Sequence, residues 1–238
     1  MTQNPFESPQ ANPYTNQAPA QATTGQFDIG QAISDGWAAM TANAGVAIGG
    51  TVVVGLLSVL AAITIIGYFV LLPVLAYGML RLLLNITDGE GDINDIFSGF
   101  QNYGSVLGSM LMFMLIMIVV MIGVSLPGMV LAGVGGALEL PALAVLGQMI
   151  NLVITYAITP RLYFGPFFIA DQGVGGLDAL KMSWKATREQ KLMSFILLLV
   201  TGIIGFAGVI ACGVGLLFSL PLSYIIWTAA YRQMVPRT

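Results

Sequence analysis

Three long stretches of the chain contain no charged residue, and they determine the predicted architecture. Residues 36–80, 96–138 and 192–231 lack Asp, Glu, Lys and Arg altogether. Each exceeds the roughly 20 apolar residues that an α-helix needs to cross a bilayer, and the first and last can each hold two crossings. A soluble core does not require such runs, so the pattern predicts an all-α, polytopic membrane helix bundle.

Glycines and prolines divide these stretches into six predicted transmembrane helices. The expected spans are residues 44–66, 68–86, 104–126, 142–168, 192–212 and 216–235, with a glycine-rich connection at 128–136. Four prolines fall inside the spans, namely Pro73, Pro160, Pro166 and Pro221. Each should bend its helix, because proline removes a backbone hydrogen bond and clashes with the preceding turn.

A short amphipathic segment precedes each pair of spans and is too polar to cross the membrane. Behind Asp28, a predicted N-cap, Ile29, Ile33 and Trp37 recur at helical spacing. The corresponding apolar positions are Ile93, Phe97 and Phe100 after Asp92, and Leu177, Leu180 and Trp184 in the third segment. We predict three cytoplasmic interfacial helices, anchored at headgroup depth by Trp37, Phe100 and Trp184.

The three units also share their spacing, which indicates a three-fold repeat of interfacial helix plus hairpin. Trp37 and Pro73 lie almost as far apart as Trp184 and Pro221, and the middle unit carries an insertion. A basic residue follows the proline in each unit, at Arg81, Arg161 and Arg232. Such anchors are common in membrane helices, so a chance alignment is the alternative interpretation.

Residues 1–26 are predicted to be a disordered cytoplasmic tail, and residues 27–238 the transmembrane domain. The tail is rich in Pro, Asn, Gln and Thr, with Glu7 as its one charge, and has little apolar surface to bury. It lacks the basic and apolar regions of a signal peptide. Asn4-Pro5-Phe6 and Asn12-Pro13-Tyr14 are either ligands for a cytoplasmic partner or ordinary parts of a solubilising tail.

Composition and charge placement favour a membrane location. Charged residues make up 8% of the chain, whereas a soluble domain has about 25%. With six spans, every Lys and Arg lies on one membrane face, and Glu139 lies on the other. The positive-inside rule makes the basic face cytoplasmic. We therefore expect a multi-pass cell-membrane protein with both termini in the cytoplasm.

Little in the sequence indicates catalysis. The chain has no His and one cysteine, Cys212, so we expect neither a Cys/His metal site nor an intrachain disulfide. The acids between Asp88 and Asp95 lack the EF-hand spacing, because Ile93 stands where glycine is needed. We interpret them as a solvated turn and a helix N-cap. Since no opposed acids lie within the spans, we expect no enzyme activity and no catalytic, cofactor or metal residues.

Two groups of polar residues are candidate sites. Gln148, Asn151, Thr155 and Thr159 form a polar stripe on the fourth span. The stripe should face the bundle or water, either as hydrogen-bonding glue between helices, which we favour, or as a path for a substrate or ion. Candidate contacts for lipid headgroups are Arg161, Lys181, Lys185, Arg188 and Lys191. Asp178 and Glu189 dilute this basic patch, so nucleic-acid binding is not expected.

Several motifs in the second half of the chain resemble a known group of proteins. They are Ala170-Asp171, then Leu180-Lys181-Met182-Ser183-Trp184, then Pro221 followed by Ala229-Ala230-Tyr231. Together they resemble uncharacterised bacterial six-helix membrane proteins related to the membrane domain of some glycerophosphodiester phosphodiesterases. The phosphodiesterase barrel is not in this sequence, so no catalytic residues carry over. The resemblance implies the bacterial inner membrane as the location and leaves the role unassigned.

Elimination among three function classes favours a non-enzymatic scaffold or accessory subunit. The alternative, a transporter or channel for a small solute or lipid, lacks the intramembrane acids that usually couple transport to ions. A membrane enzyme has the least support. Expected partners are membrane lipids and a protein in the membrane or cytoplasm. The glycine pairs Gly45/Gly49 and Gly104/Gly108 would permit close helix contact within the chain or in an oligomer.

Cysteine labelling tests the predicted topology. In a background without Cys212, a cysteine at Glu139 should react with a membrane-impermeant thiol reagent added to intact cells, because this position is predicted to face outward. A cysteine at Thr87 should remain unlabelled until the membrane is opened. The reverse labelling pattern would contradict the orientation.

Overall fold

Helices and short connections make up the described structure, and the all-α prediction is confirmed. The computed structural model describes residues 27–210 and 215–237. Its α-helices are α1 (Ile29–Ala42), α2 (Ala44–Ala62), α3 (Ile65–Thr87), α4 (Ser98–Gln101), α5 (Tyr103–Ala137), α6 (Pro141–Leu162), α7 (Gly165–Gln172), α8 (Gly176–Ala186), α9 (Lys191–Ile210) and α10 (Leu216–Met234). A 3₁₀ turn, Ile93–Phe97, leads directly into α4. The predicted tail, its two short motifs and Cys212 lie outside the described residues.

Five segments of the described chain are long and apolar enough to cross a membrane. They are Ala44–Ala62, Ile66–Thr87, Tyr103–Ala137, Pro141–Gln172 and Lys191–Ile210. Helix α10 occupies the position predicted for the sixth span but is not among them, since Ser219, Ser223, Thr228 and Arg232 make it more polar. Helices able to cross a membrane thus occupy five of the six predicted spans, and the sixth span remains a prediction.

Helix α10 lies at the centre of the bundle, where its polar residues are shielded by other helices. Helices α1, α2, α3 and α9 pack around it. The Trp227 ring lies 4.3 Å from the Tyr163 ring and 4.9 Å from the Phe164 ring. The rings of Tyr231 and Phe168 are also in contact, with centroids 5.0 Å apart. Aromatic packing of this kind fixes α10 against the junction of α6 and α7.

Both predicted N-caps are present. The Asp28 side chain accepts a hydrogen bond of 2.7 Å from the backbone N–H of Gln31 at the start of α1. Asp92 and Asp95 form a reciprocal capping box at the start of the 3₁₀ turn. These short elements therefore begin where local side-chain chemistry satisfies their free N–H groups.

Each short segment packs on the helix that ends another hairpin. Helix α1 packs on α10, the 3₁₀ turn on α3, and α8 on α7 and α5. Glycines make these contacts close: a Cβ on Gly36 would lie 2.8 Å from Ile226, and a Cβ on Gly78 would overlap the carbonyl oxygen of Ile96. This cyclic pattern is what a three-fold repeat would produce, although the repeat itself remains a prediction.

The three predicted aromatic anchors are partly exposed, and the Trp37 ring also contacts the Phe218 ring of α10, with centroids 5.8 Å apart. Trp37, Phe100 and Trp184 are 52%, 41% and 42% exposed. The faces that pack inward contain small residues, such as Gly36 in α1 and Ala179 in α8. Small residues let the backbones approach and leave the large aromatic side chains on the outer surface.

The glycine-rich stretch after residue 126 is helical, which corrects the predicted connection. Helix α5 continues through Pro127 and the following glycines to Ala137. Glycine weakens an isolated helix, but here it allows α5 and α6 to pack backbone against backbone. A Cβ on Gly128 would lie 2.7 Å from the carbonyl oxygen of Gly147, and one on Gly135 would overlap the backbone nitrogen of Ala144.

The two predicted glycine pairs do not make this contact within the described chain. A Cβ added to Gly45, Gly104 or Gly108 would meet no atom within 4 Å, and one on Gly49 would make ordinary contact with Ile93 at 3.5 Å. Contact between copies at these glycines remains a prediction.

Alanine substitutions distinguish the packed glycines from the open ones. Gly78→Ala should lower stability by about 1–3 kcal/mol, because the new Cβ forces α3 and the 3₁₀ turn apart. Gly108→Ala, in open surroundings within α5, should be neutral or slightly stabilising. Thermal unfolding in mild detergent measures both. Equal effects of the two variants would contradict the close approach at Gly78.

Candidate functional site

The ends of α3, α7 and α10 meet at a nearly buried cluster of charges. Arg232 donates through Nε and Nη2 to the two carboxylate oxygens of Asp88, at 2.9 and 2.7 Å. Its Nη1 lies 2.9 Å from Oδ1 of Asp171. The side chains of Arg232, Asp88 and Asp171 are 14%, 10% and 16% exposed. We call these three residues the ion-pair cluster.

Neighbouring polar groups complete the cluster's hydrogen bonding. The Tyr231 hydroxyl donates to Oδ2 of Asp171 at 2.9 Å. Arg237 lies at the exposed edge, 2.8 Å from Glu90 and 3.7 Å from Asp88. Because both oxygens of each buried carboxylate already have a partner, this arrangement suits a structural junction better than a general base.

The ion-pair cluster corrects one interpretation from the sequence and adds residues that it missed. Asp88 was expected in a solvated turn, but it is nearly buried and paired with Arg232. From the sequence, Asp171 stood out only as part of a motif, and Arg232 only as a basic residue that follows a proline. Their pairing joins residues 60 or more positions apart, so no local pattern could have indicated it.

A small polar cavity lies beside the ion-pair cluster. Its volume is about 130 Å³, and Arg81, Ser98, Asp171 and Gln172 are among its lining residues. Arg81 donates from Nη1 to the carbonyl oxygen of Ala170 at 3.1 Å. Ser98 Oγ and Gln172 Oε1 are buried and have no hydrogen-bond partner among the described residues. A polar space of this size can hold several water molecules that satisfy such atoms.

A larger, apolar cavity lies between α2, α3, α5, α6, α7 and α10. Its volume is about 500 Å³, within the range of about 300–1,000 Å³ that ligand sites have. Leu83, Phe113 and Leu220 contribute to its apolar walls, and Pro166 and Pro221 lie along it. Thr51, Thr159, Tyr163 and Tyr224 supply the hydroxyl groups among the lining residues. We call this space the central cavity.

The four residues of the predicted polar stripe do not share the same surroundings. Gln148 is exposed, while Asn151 packs against Gly128 of α5. The Thr155 hydroxyl donates to Asn151 Oδ1 at 3.4 Å, and the Thr159 hydroxyl donates to the Thr155 carbonyl oxygen at 2.8 Å. These bonds stay within α6, and Thr159 also lines the central cavity. The choice between glue and path therefore remains a prediction.

The candidate headgroup contacts fall into two groups. Lys181, Lys185 and Arg188 are exposed on α8 or just after it, and Lys181 pairs weakly with Asp178 at 3.4 Å. Arg161 lies at the end of α6 with its guanidinium 4.8 Å from the centre of the Trp184 ring. Lys191 begins α9 and lines the same surface groove as Arg161.

Replacing the two C-terminal arginines separately tests the ion-pair cluster. Arg232→Gln should destabilise the fold by about 3–5 kcal/mol, because it leaves two nearly buried carboxylates without their cation. Arg237→Gln should cost about 0–1 kcal/mol, since Arg237 is 53% exposed. Thermal unfolding of both variants in mild detergent measures the difference, and similar losses would show that the cluster is not a structural junction.

Comparisons with protein-family models, curated proteins and solved structures find no match for this chain. The geometry described above is therefore the basis for a functional proposal.

Proposed function

We propose that this protein is a non-enzymatic, multi-pass membrane protein that binds the apolar chain of a lipid in its central cavity. The observation that supports this function is the cavity itself, which has a ligand-sized volume and predominantly apolar walls. The proposal develops the lipid alternative from the sequence and keeps the expectation that the chain performs no catalysis. A pure scaffold would need no such space.

Packing favours a lipid chain over a polar solute. Atoms that line an empty apolar cavity lack van der Waals partners on one side, and a hydrocarbon chain would restore those contacts. A hydrated solute would lose its water and recover few hydrogen bonds from these walls. The hydroxyls of Thr159, Tyr163 and Tyr224 could orient a polar group on the lipid.

The ion-pair cluster limits how the cavity can open. Leu83 and Phe167 line the cavity, while Asp88 and Asp171 follow them by about 6–8 Å of helix. Arg232 joins these carboxylates across the same end of the bundle. A passage that follows α3, α7 and α10 toward this end of the bundle would meet the cluster. This supports a binding site rather than a continuous channel.

The same arrangement supports α10 as the sixth span and the three-fold repeat. The ion-pair cluster joins the last helix of each hairpin, through Asp88 in α3's C-cap, Asp171 in α7 and Arg232 in α10. The three short segments pack cyclically on these helices or their neighbours. With six spans, both described ends of the chain lie on the basic face, which we assign to the cytoplasm.

Filling the cavity tests the function directly. Gly55 lines the central cavity, and a Cβ there would meet no atom of the described residues within 4 Å. Gly55→Leu should therefore add side-chain volume at the cavity. The number of lipid molecules that remain bound after purification in mild detergent, counted by native mass spectrometry, should fall below that of the parent protein.

A glycine outside the cavity provides the control. Gly202 in α9 is exposed, and a Cβ there would likewise meet no atom of the described residues within 4 Å. Gly202→Leu makes the same chemical change and should retain lipid as the parent does. If Gly55→Leu is folded and retains as much lipid as Gly202→Leu, the lipid-binding function is wrong and the scaffold becomes the better hypothesis.

A further inference from the structure

A second ligand-sized space lies on the outer surface of the bundle, between α6 and α9. This α6–α9 groove has a volume of about 670 Å³ and is separate from the central cavity in its lining residues. Leu152, Tyr156, Phe195 and Leu199 line its length, and Arg161 and Lys191 line one end. The groove is thus apolar along the helices and basic where α6 ends and α9 begins.

Arg161 is held in place by an aromatic ring and has no anionic partner in the described part of the chain. Within the described residues, its guanidinium has no ion pair or hydrogen bond, and its Nε is buried without an acceptor. The Trp184 ring, 4.8 Å away, fixes its position by a cation–π contact. Helix α8 is in turn attached to α6, because the Ser183 hydroxyl donates to the Arg161 carbonyl oxygen.

A buried guanidinium N–H needs an acceptor, and phosphate oxygens suit its planar donor geometry. Arg232, by contrast, obtains its acceptors from two carboxylates of the same chain. Lys191, which is exposed, adds a second positive charge at the same end of the groove. The two cations favour a ligand that carries negative charge close to an apolar chain.

We infer that the α6–α9 groove binds an anionic phospholipid. Its phosphate contacts Arg161 and Lys191. One acyl chain lies over the contacting rings of Tyr156 and Phe195, whose centroids are 6.5 Å apart, and continues toward Leu152 and Leu199. From Arg161 to Leu152 the groove follows about 13 Å of helix. This site is separate from the central cavity, because it recognises a phosphate and the two spaces share no lining residue.

Matched charge removal tests the assignment. The protein is delipidated and returned to nanodiscs of mixed phosphatidylglycerol and phosphatidylcholine, and the phosphatidylglycerol that stays bound is counted by native mass spectrometry. Arg161→Gln with Lys191→Gln should reduce this number several-fold. Lys181→Gln with Lys185→Gln removes the same charge from the exposed face of α8 and should reduce the number less, because neither residue lines the groove that holds the acyl chain. Equal losses, or no loss in either, would overturn the specific site.

Two further measurements cover the remaining outcomes. Ala157 lines the groove and is exposed, so Ala157→Phe should obstruct it without changing charge, and retention of phosphatidylglycerol should again fall. If it does not fall, no acyl chain lies in the groove.

Inorganic phosphate should fail to displace the lipid, and displacement would mean that the site binds free phosphate instead. In a Gly55→Leu background, Arg161→Gln with Lys191→Gln should cause the same loss of phosphatidylglycerol, so failure of the cavity function and failure of the groove remain distinguishable.

Discussion

The rest of the structure depends on a buried arginine that joins three helix ends. Burying a guanidinium is unfavourable unless its donors are satisfied, and Arg232 satisfies them with Asp88 and Asp171 at 2.7–2.9 Å. This requirement fixes the relative heights of α3, α7 and α10. Once these ends are aligned, the aromatic residues of α7 pack on Tyr231. The central cavity is left farther along the same helices.

Polar side chains bind the central helix to its neighbours. The hydroxyls of Thr87 and Thr228 lie 2.6 Å apart, joining α3 to α10. Trp227 donates from Nε1 to the Thr201 hydroxyl at 3.0 Å, joining α9 to α10. Such groups are unfavourable toward lipid but satisfied between helices. The polarity that makes α10 a weak candidate span is therefore consistent with its place inside the bundle.

Glycine and proline shape the spaces around this centre. Glycines bring α5 and α6 together at Gly128 and Gly147, where the backbones are in contact. Near the other end of α6, the chain breaks at Tyr163–Phe164 before α7, and Pro166 and Pro221 lie along the central cavity. Close approach in one part of the hairpin and the break between α6 and α7 in another leave volume that no side chain fills. Packing of rigid helices produces this cavity.

The sequence by itself determined the features that depend on neighbouring residues. Long apolar runs indicated the helices that could cross a membrane, and Asp28 and Asp92 indicated two helix starts, because hydrophobic periodicity and capping act over a few residues. The polar stripe on α6 was visible for the same reason, but its partners were not. A local pattern shows which residues share a helix face and leaves open what that face contacts.

Tertiary structure decided the features that join distant parts of the chain. The pairing of Asp88 with Arg232 spans 144 positions, and the glycines after residue 126 became helical because α6 packs against them. The central cavity and the α6–α9 groove likewise require several helices at once. Charge pairing and close packing depend on distances in space, so these sites appear only when the helices are brought together.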